Sequence, residues 1–290
     1  MSIHFDSACI QCHLRRNLDT ARKLGTPEQV DAFAKDLLRL YLTAPADVSS
    51  PWLGPATTDL FRAHFGLPED RFREEKEISN RFVLERLPRI RARVDVAADP
   101  LFAGLQFAIL GNYIDFSSLQ GEVSFEQLDQ LLASAEEMDL DRNVYADLRS
   151  DLEKGKKLLY LTDNAGEIGF DRIFAEQIHK KYPHLEITFC VRGGPAMNDA
   201  TREDAALVGI PFPVIDNGNR VAGTQLDQLS EEARTALEQA DVIIAKGQGN
   251  TETMYGCGFN VYYAFLIKCP RFEDVFGKPK FTPILARERN

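Results

Sequence analysis

The repeat of apolar residues changes once along this chain of 290 residues, close to Lys157, and the fold has to satisfy both periods. Upstream, Val30, Phe33, Ala34, Leu37, Leu38, Tyr41 and Leu42 recur three and four apart, the spacing of one helical face, behind a Pro27-Glu28 opening. This predicts a helix over 27–43. The same reasoning predicts helices near 10–24, 56–65, 70–93, 99–110, 124–135 and 140–153, broken by Pro45, Pro51, Pro68 and Gly121. Downstream, the runs 158–162, 186–191 and 241–245 are short, continuous and rich in branched residues, as strands covered on both faces are. Helical stretches near 167–182, 201–208 and 230–239 lie between them, and such alternation builds a doubly wound sheet. The expected class is α/β, with a helical domain over 1–154 and an α/β domain over 155–290.

Lysines and arginines number 34 against 44 aspartates and glutamates, a net charge of −10. That balance argues against nucleic acid or an anionic membrane as the main partner and leaves room for a local basic pocket. The longest apolar runs, such as 261–267, fall far short of the roughly 20 residues that span a bilayer. The opening Met1-Ser2-Ile3-His4-Phe5-Asp6 has neither a basic nor an apolar export region, so the cytoplasm is the expected location. Five cysteines suit free thiols or a metal site better than a disulfide framework.

In an open α/β sheet ligands bind beyond the carboxyl ends of the strands, which directs attention to three loops. Asp163, Asn164 and Asp199 offer two carboxylates and an amide carbonyl, a hard oxygen set suited to Mg²⁺ or Mn²⁺. The competing reading is an Asx-turn at Asp163 and Asn164, with Asp199 or Thr201 capping the next helix. Glu167 opens a helix, where it meets an anion or satisfies the dipole itself. Lys246, Gly247 and Gly249 have the composition of a phosphate cradle, although the order is not that of a P-loop. Neither a G-x-G-x-x-G after the first strand nor a G-x-S-x-G elbow is present.

Cys9-Ile10-Gln11-Cys12-His13 matches a haem-attachment pattern whose chemistry follows export, so half of a metal site, a strained disulfide or a plain thiol pair fits better; Cys269 is a candidate to join it. Within Gly111-Asn112-Tyr113-Ile114-Asp115-Phe116, polar residues either break a helix or point into a cleft between the domains.

Together, Asp163 to Glu167, Arg192 to Thr201 and Lys246 to Asn250 resemble the metal-dependent damage-control phosphatase family, long catalogued as a domain of unknown function. The 111–116 segment, Cys9-x-x-Cys12 and Lys268-Cys269-Pro270 are similar to its mostly prokaryotic subfamily. The resemblance implies a helical domain packed on a Rossmann-like three-layer domain with a mainly parallel sheet. It implies a divalent cation (Mn, Co, Ni or Mg) on Asp163, Asn164 and Asp199, and Asp163 and Lys246 as catalytic residues, Lys246 meeting the phosphate. Asp163 is either a ligand or the attacking carboxylate. Further phosphate or substrate contacts would fall to Glu167, Arg192, Gly247, Gly249, Asn250, Asn112 and Asp115, with Cys9, Cys12 and Cys269 as accessory thiols. The expected substrate is a small phosphorylated metabolite: a sugar phosphate, a nucleotide or a damaged cofactor precursor. The alternatives are a carboxyl methyltransferase dependent on S-adenosylmethionine and a non-catalytic metabolite-binding protein.

Overall fold

The computed structural model describes residues 3–114 and 124–288. Local chemistry sets where the first helices begin. Asp6 accepts from the Cys9 N–H and starts α1 (Ser7–Ala21), so it begins earlier than apolar spacing alone indicates. A Thr26–Gln29 capping box starts α2 (Pro27–Thr43). Three more helices follow: α3 (Gly54–Phe65), α4 (Arg73–Val96) and α5 (Pro100–Gly111). Ser124 and Asp141 cap α6 (Phe125–Ala133) and α7 (Arg142–Lys154).

Sheet and helix then alternate through β1 (Lys157–Leu161), α8 (Glu167–Lys181), β2 (Glu186–Val191), α9 (Arg202–Leu207) and β3 (Val214–Asp216). The chain continues with α10 (Glu231–Gln239), β4 (Val242–Lys246), α11 (Gly247–Met254), β5 (Val261–Leu266), α12 (Pro270–Phe276) and β6 (Pro283–Arg287). The strands form one sheet in the order β3-β2-β1-β4-β5-β6, parallel throughout except for β6. Apolar runs predict three of these strands. β3 has only three residues, and β6 is an antiparallel edge strand that alternation does not announce. Strand order reverses between β1 and β4, which opens a crevice at their carboxyl ends.

One core runs from Phe82 in α4 to Leu285 in β6, so α4 and α5 lie in the same packing as the sheet and α8. Apart from Pro100, α5 is buried along its whole length, which matches its apolar residues on every side. A small separate core of Ala21, Phe33, Leu37 and Phe61 holds α1, α2 and α3 together. Among the described residues no helix is long and apolar enough to cross a membrane.

Candidate active site

The loops after β1 and β2 are stitched together by their backbones. The Ala200 N–H donates to the Asp163 carbonyl (2.7 Å) and the Ala165 N–H to the Asn198 carbonyl (2.9 Å). An antiparallel bridge therefore sets Asn164 against Asp199, and all three expected cation ligands come together in buried positions at the crevice. The helix-cap alternative separates cleanly. Thr201 forms a capping box with Asp204, whereas the Asp199 carboxylate turns the other way and accepts from Arg192 Nε at 2.6 Å.

Two amides fix the Asp163 carboxylate. Its Oδ2 accepts from Nδ2 of Asn112 and from Nδ2 of Asn164, both at 2.8 Å. The same two amides donate to Glu167 Oε2 at 2.9 and 2.8 Å. Asn112 ends α5 and accepts the Leu266 N–H of β5 at 3.1 Å, so helix and sheet aim it jointly. Asp163 Oδ1 lies 3.9 Å from Arg192 Nη2.

Lys246, the expected phosphate contact, sits beneath this surface. It is fully buried, and its Nζ donates to Glu167 Oε1 (2.6 Å), Asp171 Oδ1 (2.8 Å) and the Ala108 carbonyl (2.8 Å). These three acceptors use every ammonium proton, which corrects the cradle reading. Burial alone would favour the neutral amine, but Asp171 and Glu167 outweigh it and push the Lys246 pKa up. Burial raises Asp171 above the ordinary carboxylate range, with Lys246 opposing.

Gly247 and Asn250 are corrected in the same way. Gly247-Gln248-Gly249 is the first turn of α11 rather than a free loop. Asn250 ties the Thr162 and Lys246 carbonyls (3.0 and 2.6 Å) and accepts from the Thr224 hydroxyl (2.8 Å), so its amide is spent inside the fold. Gly249 lines the cleft, and a side chain there would collide with the Ala222 carbonyl, 2.1 Å from the added carbon. Asp115 lies outside the described residues.

Three contributors escape sequence reasoning. Asp171 lies one helical turn after Glu167 and shares Lys246; the Glu-x-x-x-Asp spacing was the available signal. Asn80 of α4 accepts the Gly166 N–H (2.7 Å) and donates to Asp204 (2.7 Å), steadying the 163–167 loop from a distant part of the chain. Asn198 donates to Asn164 Oδ1 (2.8 Å), while its own buried Oδ1 meets no donor among the described residues. Buried Nη1 and Nη2 of Arg192 likewise have no acceptor. Two carboxylates and amide oxygens, with one buried carbonyl left over, fit a hard divalent cation. No three His, Cys, Asp or Glu side chains converge on an ion position among the described residues, so the candidate set depends on its amides.

Cys9, Cys12 and Cys269 are free thiols. Burial pushes the Cys9 thiol up to about 12 and raises Cys269, which accepts from Gln248 Nε2 at 3.6 Å; neither resembles an activated nucleophile.

Asp163, Asn164 and Asp199 open onto a cleft of about 860 Å³, whose other lining comes mostly from α1, the 50–58 stretch that leads into α3, the segment entering α4, and Gln248, Gly249 and Glu252 of α11. A family model described as the damage-control phosphatase ARMT1-like domain matches residues 5–281. The chain belongs to the damage-control phosphatase family. It is 31% identical over 287 residues to an uncharacterised protein of Methanocaldococcus jannaschii, a match covering 95% of this chain and 93% of that one. Damage-control phosphatases of Pyrococcus horikoshii and Archaeoglobus fulgidus are 33% and 35% identical, each over 189 residues. Those matches span 64% of this chain and 64% of each relative. The crystal structure of a DUF89 family protein from P. horikoshii aligns with a TM-score of 0.82 at 26% identity, covering 98% of this chain and 99% of that one. The damage-control phosphatase fold therefore includes α1 to α3 as well as the sheet.

Proposed function

We propose that the chain is a phosphomonoesterase for small phosphorylated metabolites that works with a divalent cation held by Asp163, Asn164 and Asp199. The observation that carries this reading is the leftover polar set: two buried N–H-bearing nitrogens of Arg192 and one buried carbonyl of Asn198, unsatisfied beside two carboxylates. Buried polar groups are seldom left unpaired, and this combination suits an anion and a cation together. Family membership supports the same reading.

A bound Mn²⁺, Co²⁺, Ni²⁺ or Mg²⁺ supplies neutralising charge for the phosphoryl oxygens and acidifies water. The rest falls to the protein. Arg192, oriented by Asp199, offers its Nη groups to the phosphoryl oxygens. Asn112 and Asn164 hold the Asp163 carboxylate in one orientation as a ligand. Lys246 meets no phosphate itself; it is a positioning residue that balances Glu167 and thereby sets both amides. Water oxygen bonds to phosphorus as the ester P–O bond breaks, and the alcohol leaves with a proton. Soluble metabolites of this kind agree with a cytoplasmic site of action.

The test is phosphate release from a panel of sugar phosphates, nucleotides and phosphorylated cofactor precursors, after chelation and then with each cation restored. Release that returns only with a cation is expected. Undiminished release after chelation removes the cation from the proposal, and no release from any compound removes the phosphatase.

A further inference from the structure

The part of the cleft lining supplied by α1 and the segment entering α4 carries two guanidinium groups, with the carboxylates of Asp19, Glu75 and Glu252 in the same cleft. Arg16 of α1 and Arg71, just before α4, both line the cleft. Neither guanidinium forms an ion pair among the described residues, and buried Nη1 of Arg71 has no acceptor. The Arg71 guanidinium lies over the rings of Phe61 and Phe72, 4.5 and 4.8 Å from their centres, so it cannot swing freely into solvent. Burial, then the charge of Arg16, pulls the Arg71 pKa down to about 10, and Glu75 only partly offsets them.

His13 completes the arrangement. Its Nδ1 accepts from the Tyr41 hydroxyl (2.6 Å) and from Asn17 Nδ2 (3.0 Å), which leaves the proton of a neutral ring on Nε2. Burial, Arg16 and Arg71 lower its pKa to about 4, so the ring stays a neutral N–H donor. Arg16 disfavours the charge on Arg71, Glu75 offsets this only in part, and an anion held by both guanidinium groups and the His13 N–H relieves the rest.

We propose that Arg16, Arg71 and His13 form a second anion subsite, and that the preferred substrates are phosphometabolites carrying a further carboxylate or phosphate group. This rests on the phosphatase reading above and names its substrate class. A cleft of about 860 Å³ has room for such a two-ended molecule, whereas inorganic phosphate alone would leave most of it empty. A guanidinium fork matches carboxylate and phosphate alike, so the two sources are separated by substrate choice.

The test compares 2-phosphoglycerate with glycerol 2-phosphate, and a hexose 1,6-bisphosphate with the hexose 1-phosphate. Wild-type kcat/KM is expected to be about tenfold or more higher for the doubly anionic member of at least one pair, the magnitude of a charge-assisted hydrogen bond. A preference in the first pair identifies the carboxylate, and in the second the phosphate. Arg71→Met and Arg16→Met should each shrink the ratio. Arg16 lies over no aromatic ring among the described residues, so its variant keeps the test usable should Arg71→Met fail to fold. Equal kcat/KM within both pairs, or unchanged ratios in the folded variants, overturns the subsite and leaves the phosphatase standing. No turnover of any of the four compounds overturns the subsite, and the phosphatase falls with it only when the wider panel above also releases no phosphate.

Discussion

A methyl group built on Gly247 would stand 2.0 Å from Oδ2 of Asp163, because α11 begins in direct contact with the carboxylate two residues beyond the end of β1. Gly247 has φ of +79°, so a side chain is excluded twice, by conformation and by contact. Gly247→Ala should lower stability by about 1–3 kcal/mol from the backbone alone and displace Asp163. A drop in melting temperature with at least a hundredfold loss of phosphate release is expected; normal turnover by this variant refutes the contact.

Lys246→Met tests the difference between a phosphate contact and a buried counter-charge. Removing the ammonium strands Glu167 and Asp171 in the interior, which should cost about 3–5 kcal/mol. Adding Asp171→Asn should return part of that in thermal denaturation. A Lys246→Met protein that melts like wild type but has lost catalysis restores Lys246 to the phosphate.

Asp199→Asn should weaken cation affinity and activity together, with partial recovery at raised Mn²⁺, since an amide oxygen is a poorer donor than a carboxylate. The cap is Thr201, so helix stability should hardly change. Asp163→Asn adds a decision: recovery with excess Mn²⁺ marks a ligand, and none at any concentration marks an attacking carboxylate. Titration calorimetry with Mn²⁺ beside phosphate release reads both variants.

His13 makes stability depend on pH. Its ordinary pKa of 6.5 drops to about 4 on folding, so between those values the unfolded chain binds a proton that the native chain refuses. The contribution is complete above pH 6.5 and drains as pH falls toward 4, by up to about 3 kcal/mol. Urea denaturation of wild type against His13→Gln should show the steeper acid loss in wild type. Parallel curves would remove the His13 term.

Legibility in the sequence followed how local each constraint is. Strands β1, β2 and β4 announce themselves because burial on both faces demands an unbroken apolar run, and Asp163, Asn164 and Asp199 follow from where such strands end. The buried ladder through Lys246 was out of reach. A lysine beside glycines has the composition of a phosphate loop, and only the packing of α5 and α8 over β4 shows that its charge is consumed inside. Asn80 gave no sign at all, since its link to Gly166 crosses 86 positions of chain. His13 was visible only as the tail of a haem-like pattern, because its neutrality comes from burial beside Arg16 and Arg71, which only the fold brings together.

The small core beneath α1, α2 and α3 shares none of its buried residues with the core that supports Asp163 and Lys246. Substitutions at positions that share no packing partners tend to act on stability independently. The wall proposed to face substrate can therefore vary while the proposed cation site stays fixed. A lineage could exchange one metabolite for another by altering three helices and leave the chemistry untouched.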